Sequence, residues 1–302
     1  MLADDLPLLV PPAWLEARLG HPALRIVDGS WYLPAARRNP RAEFEASHIP
    51  GAIYLDLSTD LADPGAPLRN TVAPPDALAA ALGRAGIGRD HRVVVYDSHS
   101  GYSAARVWWC MRYAGHDRVA VLDGGFERWR AEGRPSTAET SHHPACTLDA
   151  RPEPRWLATC GDVLRALDER RSQVVDVRSA DRFRGEGAET APRRGHMPGA
   201  INLPYTRHWT DPEGGAPPRF LAPSALRERY REAGVDLRRP IITTCGSGVT
   251  ASLAAFALHC AGVRDVRVYD GSWAEWAASP SLPAERGAAP ERGAPPREDL
   301  SG

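Results

Sequence analysis

The 302 residues of this chain predict an α/β protein built from two tandem domains, each a mostly parallel sheet flanked by helices. Two observations carry that expectation. Short β-branched runs alternate with stretches of helical periodicity, and the same order of segments occurs twice in a fixed register. HIPGAIYLDL at His48 returns as HMPGAINLPY at His196, IVDGS with Asp28 returns as VVDVR with Asp176, and VVVYD ending in Asp97 aligns with IITTC ending in Cys245, each 148 residues on. LDGGFERW then recurs as YDGSWAEW, with Trp129 and Trp276 separated by 147. Chance does not hold that register four times, so the chain is a duplication.

Within the first copy, Pro11 and Pro12 precede a short amphipathic segment from Ala13 to Leu19 that Gly20 ends. Leu24 to Val27 make the first strand, closed by Asp28. The turn at Ser47 leads into a second strand that ends near Leu57, and Arg92 to Tyr96 form a third, apolar apart from its ends. Ser103 to Ala114 read as a helix with Gly115 as its stop. Val119 to Leu122 form another strand before Asp123, Gly124 and Gly125. In the second copy, Ile241 to Thr244 suit a buried strand. Leu253, Phe256, Ala257 and Cys260 then share one helical face. The domains expected are 1–130, inactive at its centre, and 155–280, catalytic. Residues 131–154, rich in Pro, Ser, Thr and His, read as a solvated linker, and 281–302, with ERGAAP and ERGAPP back to back, as a disordered tail.

Composition excludes several classes. With 43% hydrophobic residues, 25% charged and a formal net charge of -1, the chain describes a soluble protein with no global basic field for nucleic acid or an anionic membrane. No apolar run approaches the roughly 20 residues needed to span a bilayer, and the opening MLADDLPLLV is acidic where a secretory leader would be basic. Five cysteines without a CxxC pair fit a reducing compartment, so a cytoplasmic location is expected. His142, His143 and Cys146 lack a fourth ligand nearby, and no metal or cofactor is expected.

Between the strand at Ile241 and the helix at Leu253 lies CGSGVT, residues 245–250. Gly246 and Gly248 let the backbone curl so that successive N–H groups of Gly246, Ser247, Gly248, Val249 and Thr250 point inward, and the helix start adds its positive dipole end. Such an anion cradle favours a thiolate at its first residue, which makes Cys245 the candidate nucleophile. Cys110 and Cys260 fall in apolar helical stretches and read as core, and Cys160 as structural. In the first copy the position of the thiol holds Asp97, which cannot act as a sulfur nucleophile. That half reads as a scaffold supplying one wall of the site.

These residues resemble those of the tandem-domain rhodanese-like sulfurtransferases. HIPGA and HMPGA, DGSWYLP at Asp28 to Pro34, RFRG at Arg182 to Gly185, CGSGVT at Cys245 to Thr250, and YDGSW at Tyr269 to Trp273 occur in that family's order, from about Trp14 to Trp276. The resemblance implies a Cys245 persulfide intermediate, a small-molecule sulfur donor, and a thiol acceptor such as thioredoxin, or cyanide in vitro. Family members acting on thiosulfate carry two basic residues after the cysteine, and those acting on 3-mercaptopyruvate carry the neutral form. Gly246 and Ser247 therefore look like the 3-mercaptopyruvate type, with thiosulfate as the alternative donor. A dianion gains most from paired cations in the loop, whereas a monocarboxylate can have its single charge held elsewhere.

The resemblance assigns that charge to Arg182, whose guanidinium fork suits a carboxylate, and leaves Arg184 as a solvated neighbour. A second carboxylate-binding arginine would be Arg193 or Arg194, because the segment before His196 is short. Ser247 would hydrogen-bond the reacting sulfur, assist proton transfer, or simply fix the loop. Asp56 matches a family aspartate, but its usual histidine partner is replaced by Asn70. His48 and His196 lead equivalent turns in both copies, so a structural job is expected of them. Trp31 lines the cleft between domains or packs as core. A cysteine phosphatase would need an arginine six residues after the thiol, where Ala251 stands. A non-catalytic binding module is opposed by the intact loop.

Overall fold

A computed structural model of the chain describes residues 6–98, 101–212 and 217–287, the side chain of Pro34 excepted. In the first half the order is β1 Leu9–Val10, α1 Pro12–Glu16, β2 Leu24–Asp28, α2 Pro40–Ala46, β3 Ala52–Tyr54, α3 Pro75–Arg84, β4 Arg92–Tyr96, α4 Ala104–Tyr113, β5 Val119–Leu122 and α5 Gly125–Ala131. The second half repeats it: β6 Leu157–Ala158, α6 Cys160–Glu169, β7 Gln173–Asp176, α7 Ala180–Arg184, β8 Ile201–Asn202, α8 Pro223–Glu232, β9 Ile241–Thr244, α9 Val249–Cys260, β10 Val266–Tyr269 and α10 Ser272–Ala278. Each half holds one five-stranded parallel sheet, ordered β1-β5-β4-β2-β3 and β6-β10-β9-β7-β8. The two orders are identical under the duplication. Among the described residues no helix is long and apolar enough to cross a membrane.

The central strands β4 and β9 are buried on both faces because helices cover both sides of each sheet. One core runs through both halves. Helices α4 and α9 pack against each other, with Trp108 edge-on to Phe256 at 5.0 Å and to His259 at 5.6 Å. Trp108, Trp109, Leu253 and Phe256 are fully buried. Each such aromatic is worth roughly 1.5–3 kcal/mol of burial, so the halves are joined by core rather than by a tether.

One expectation is refined here and one corrected. The segment 131–154 is mostly exposed, as a solvated linker should be, yet it is anchored along the first half. Thr137 pairs with His48 through both backbone bonds (2.8 and 2.9 Å), the Cys146 N–H donates to the Gly83 carbonyl at 2.9 Å, and Leu148 is buried. Gly83, Gly86 and Gly115 permit this approach, because a Cβ at any of them would overlap residues 143–151. Likewise Ser281 to Gly287 are docked, not loose. Glu285 pairs with His196 through two backbone bonds of 2.9 Å, and the Pro283 carbonyl accepts from Trp276 Nε1 at 2.7 Å. The rest of the expected tail, 288–302, lies outside the described residues.

Candidate active site

Cys245 follows the last residue of β9, at the carboxyl end of the central strand of its sheet, where open parallel sheets form their crevices. The loop is held from behind. The N–H groups of Trp273 and Ala274, in the first turn of α10, donate to the carbonyls of Cys245 and Gly246, both at 3.0 Å. Because a trans peptide points its N–H opposite its C=O, the amides of Gly246 and Ser247 face away from α10. These two, and the amides of Val249 and Thr250 at the start of α9, have no protein partner among the described residues. Cys245 is 2% exposed, while Gly246, Ser247 and Thr250 are half-exposed. The thiol thus lies beneath an accessible rim of unspent donors.

Gly248 differs from the cradle expected. Its N–H and that of Cys245 both donate to Ser272 Oγ at 3.1 Å, so the Gly248 amide shapes the loop instead of facing an anion. The Ser272 hydroxyl in turn donates to the Tyr269 carbonyl at 2.8 Å and lies 4.0 Å from Cys245 Sγ. Ser272 has φ of 50°, a left-handed backbone that costs a non-glycine residue about 1 kcal/mol, and its counterpart in the first half is Gly125 at 57°. Gly248 itself has φ of 79°, and a Cβ there would fall 2.6 Å from Asp270 Oδ1. No other residue fits that point.

Beneath the loop, α4 of the first half reaches across. The Arg106 guanidinium, 1% exposed, pairs with Asp270 Oδ1 at 2.7 Å and donates to the Asn70 carbonyl at 2.7 Å and to Ser252 Oγ at 3.4 Å. Asp270 Oδ2 accepts from the Val72 N–H at 2.8 Å. Burial alone would push Arg106 down, but the Asp270 carboxylate offsets that and holds the guanidinium above its ordinary value. Leu57 and Trp31 pack against Val249. Trp31 is thereby both buried and at the cleft, and its Nε1 donates to Ser58 Oγ at 2.8 Å.

The Arg182 guanidinium lies over the loop, with Nη2 3.1 Å from where a Cβ at Gly246 would sit. Its fork is clasped by Glu189 (Nη2 to Oε1 2.7 Å, Nε to Oε2 3.1 Å), leaving Nη1 without a protein partner among the described residues. Glu189 also takes Arg178 Nη1 at 3.1 Å. Burial would raise the Glu189 carboxyl, and Arg182 and Arg178 pull it below its usual range. The cradle therefore does carry a basic side chain at its mouth, brought from α7 rather than from the loop itself.

Arg193 is turned away from the site. Its guanidinium donates to the carbonyls of Trp276, Ala277, Ser279 and Leu282 at 2.7–3.1 Å, capping α10, and so has no fork to offer a substrate. Arg194 is exposed, with no contact to the loop among the described residues. Arg184 pairs with Glu186 at 2.8 Å. Asp56 and Asn70 do not pair with each other: Asp56 Oδ1 accepts from the Ser58 N–H, and Asn70 Oδ1 from the Ser58 hydroxyl at 3.0 Å. Ser247 makes no side-chain hydrogen bond within the described residues, so it does not fix the loop. His48 and His196 bond backbone carbonyls of Phe44 (2.6 Å) and Phe183 (2.9 Å) and stack on those rings, as a shared structural job requires.

The first half shows what such a loop does with an anion. Asp97 places its own carboxylate among the N–H groups of Gly101 (2.7 Å), Ser103 (2.6 Å) and Ala104 (2.9 Å). Ser103 answers to Thr250, so an amide that is open beside Cys245 is filled beside Asp97.

A thiol beneath convergent amides, at the carboxyl edge of a parallel sheet and duplicated in a half that lacks the thiol, defines a class. The chain belongs to the family of the rhodanese-like domain, whose model matches residues 11–132 and 159–279. Among curated proteins it is 40% identical over 273 residues to human 3-mercaptopyruvate sulfurtransferase, covering 88% of this chain and 89% of the relative. It is 37% identical over 275 residues to the thiosulfate sulfurtransferase of Gallus gallus, covering 89% and 92%. Among solved structures, the 3-mercaptopyruvate sulfurtransferase SseA of Escherichia coli superposes with a TM-score of 0.80 at 33% identity, over 89% of this chain and 99% of that one.

Proposed function

We propose that this chain, a sulfurtransferase, takes sulfur from 3-mercaptopyruvate through a persulfide on Cys245 and passes it to a thiol. The observation that carries the reading is the pair of open amides at Gly246 and Ser247 with the Arg182 guanidinium over them. The Cys245 thiolate attacks the substrate sulfur, and the bond between that sulfur and C3 breaks. The electron pair passes to carbon, giving the pyruvate enolate, which takes up a proton to become pyruvate. The outer sulfur remains on Cys245 as an anion held by the amides of Gly246, Ser247, Val249 and Thr250.

Arg182 is placed to meet the carboxylate through Nη1, and the half-exposed Ser247 hydroxyl is placed to serve the proton transfer. An acceptor thiolate, for which a thioredoxin-type dithiol is our proposal, then attacks the outer sulfur and regenerates the Cys245 thiolate. In this scheme 155–280 is the catalytic domain and 1–130 the scaffold; the free cysteines suit a reducing compartment, for which the cytoplasm is our proposal.

Thiosulfate is the second reading, favoured by the Gallus gallus relative and opposed by the neutral loop. The test is pyruvate formed from 3-mercaptopyruvate set against thiocyanate formed from thiosulfate and cyanide, with intact-mass detection of one added sulfur. A higher specificity constant for thiosulfate would reverse the choice of donor. Persulfide formation surviving in Cys245→Ser would remove Cys245 as the nucleophile.

A further inference from the structure

The two halves differ at one buried position that no sulfur chemistry uses. In the second half the Asp176 carboxylate is paired with Arg178, whose Nη2 lies 2.7 Å from Oδ2 and whose guanidinium rests 4.6 Å from the Trp273 ring centroid. The same guanidinium donates to the Gly195 carbonyl at 2.7 Å and to Glu189, and is 1% exposed. It is a planar cation with a carboxylate at one end, an aromatic face beside it, and chain closed over it.

In the first half the carboxylate and the aromatic ring of that arrangement are present and the cation is not. Asp28 stands for Asp176, with the same backbone bonds: its carbonyl accepts from Leu55 as that of Asp176 does from Leu203, both at 3.0 Å. Its Oδ1 accepts from the Ser30 N–H at 2.8 Å as Asp176 accepts from that of Arg178 at 2.9 Å. Phe126 stands for Trp273, each N–H donating to the carbonyl of the residue at the centre of its loop, Asp97 or Cys245. Position 178 is Ser30. Phe44, the counterpart of Phe183, reaches its histidine in four residues instead of thirteen, so the length that carries Glu189 and Gly195 in the second half lies before Phe44 in the first, in residues 29–43. In place of the guanidinium and its cover there is an open cavity of about 860 Å³, with Asp28, Ser30, Phe44 and Phe126 in its lining.

We propose that this cavity is a binding site for a guanidinium group, carried by a small guanidino compound or by an arginine side chain of a partner protein. Asp28 is 4% exposed and makes no ion pair among the described residues. Burial without a counter-cation raises its carboxyl to about 6, against hydrogen bonds from Ser30 and Tyr96 that act the other way. A guanidinium on Asp28 supplies the missing charge in a bidentate geometry that a compact ammonium does not match, and the Phe126 face adds a cation–π contact. The chain's own arginines at the rim make no ion pair with Asp28 among the described residues. Arg38 pairs with Glu43 at 2.7 Å, and Arg130 lies 6.0 Å from the Phe126 centroid without reaching Asp28.

The test is titration calorimetry of the full chain with methylguanidinium, with the peptide acetyl-Gly-Arg-Gly-amide, and with methylammonium and the matching Lys peptide as controls. Saturable binding of the guanidinium ligands at least about tenfold tighter than of the ammonium ones supports the site. An arginine peptide about tenfold tighter than methylguanidinium assigns the source to a partner protein, and comparable affinities assign it to a small compound. Asp28→Asn should abolish binding. Should that variant fold poorly, Ser30→Arg tests the same point by supplying the guanidinium from within. It should raise the melting temperature, eliminate ligand binding and leave the Cys245 reaction unchanged. Absence of saturable binding, equal binding of ammonium ligands, or binding undiminished in Ser30→Arg would overturn the assignment.

Discussion

Replacing Asp270 with Asn tests how the first half controls the catalytic loop. The substitution keeps the shape and the acceptor for the Val72 N–H but removes the only carboxylate among the described residues that pairs with the Arg106 guanidinium, a cation 1% exposed and 2.7 Å from it. Breaking a buried pair by removing one partner costs about 3–5 kcal/mol, since the remaining hydrogen bonds to Asn70 and Ser252 do not neutralise the charge. At roughly 2–4 °C per kcal/mol for a protein of this size, the melting temperature should fall by about 6–20 °C. Calorimetry measures the fall, and steady-state kinetics should show a lower kcat, because Gly248 rests on Asp270. The pair Arg106→Met with Asp270→Leu should recover most of the stability by removing both charges. A loss under about 1 kcal/mol in Asp270→Asn, within the range of ordinary surface changes, would refute the view that this pair clamps the halves.

Arg182→Ala should raise KM for 3-mercaptopyruvate by about 10–100-fold, the value of a lost charge-assisted contact, with a smaller effect on kcat; an unchanged KM removes Arg182 from the carboxylate role. Ser272→Ala should lower kcat by at least about tenfold and cost about 1–3 kcal/mol, because two buried N–H groups lose their common acceptor; wild-type kcat in that variant would show that the loop holds without it. Denaturation at graded pH should reveal acid lability. Burial depresses His116, His208 and His259 from 6.5 to about 4, so between those values the unfolded chain binds more protons and stability falls as pH falls. Each contributes on the order of 3 kcal/mol across that window, while Asp28, raised to about 6, acts in the opposite direction between 3.8 and 6. A flat profile from pH 6.5 to 4 would contradict these assignments.

The duplication was legible because its register is a sequence fact, and β2, β4, α4, β5 and β9 follow from β-branched runs and glycine stops. The docked segments at Thr137 and Glu285 were not. Their contacts are backbone pairings to the two histidine turns, which leave no compositional trace beyond the glycines that admit them. At the site, Cys245 and the open amides were readable from CGSGVT. Ser272, Glu189 and the Arg106–Asp270 pair were not, since each acts through tertiary contact.

A signal for two of them did exist in the repeat itself. Ser272 replaces Gly125 of the half without a thiol, and Glu189 lies in a segment that half lacks. Differences between the copies mark function more sharply than their identities, which mark the fold. Nearness to His196 in the sequence, which leaves Arg193 and Arg194 as candidates, says nothing about which way a guanidinium turns, and four carbonyls at the end of α10 hold that of Arg193.

Asp97 sitting among the donors of its own loop makes the loss of chemistry in the first half hard to undo. Exchange of that aspartate for cysteine would return a sulfur to the strand end, yet one additional residue separates it from its glycine, and Gly125 has no hydroxyl to draw the turn tight. The half without the thiol is a wedge and a floor for the other, through Trp31, Leu57 and Arg106. The duplicated chain is in effect an intramolecular dimer whose two members offer different groups at equivalent places, a thiol at Cys245 and a carboxylate at Asp97.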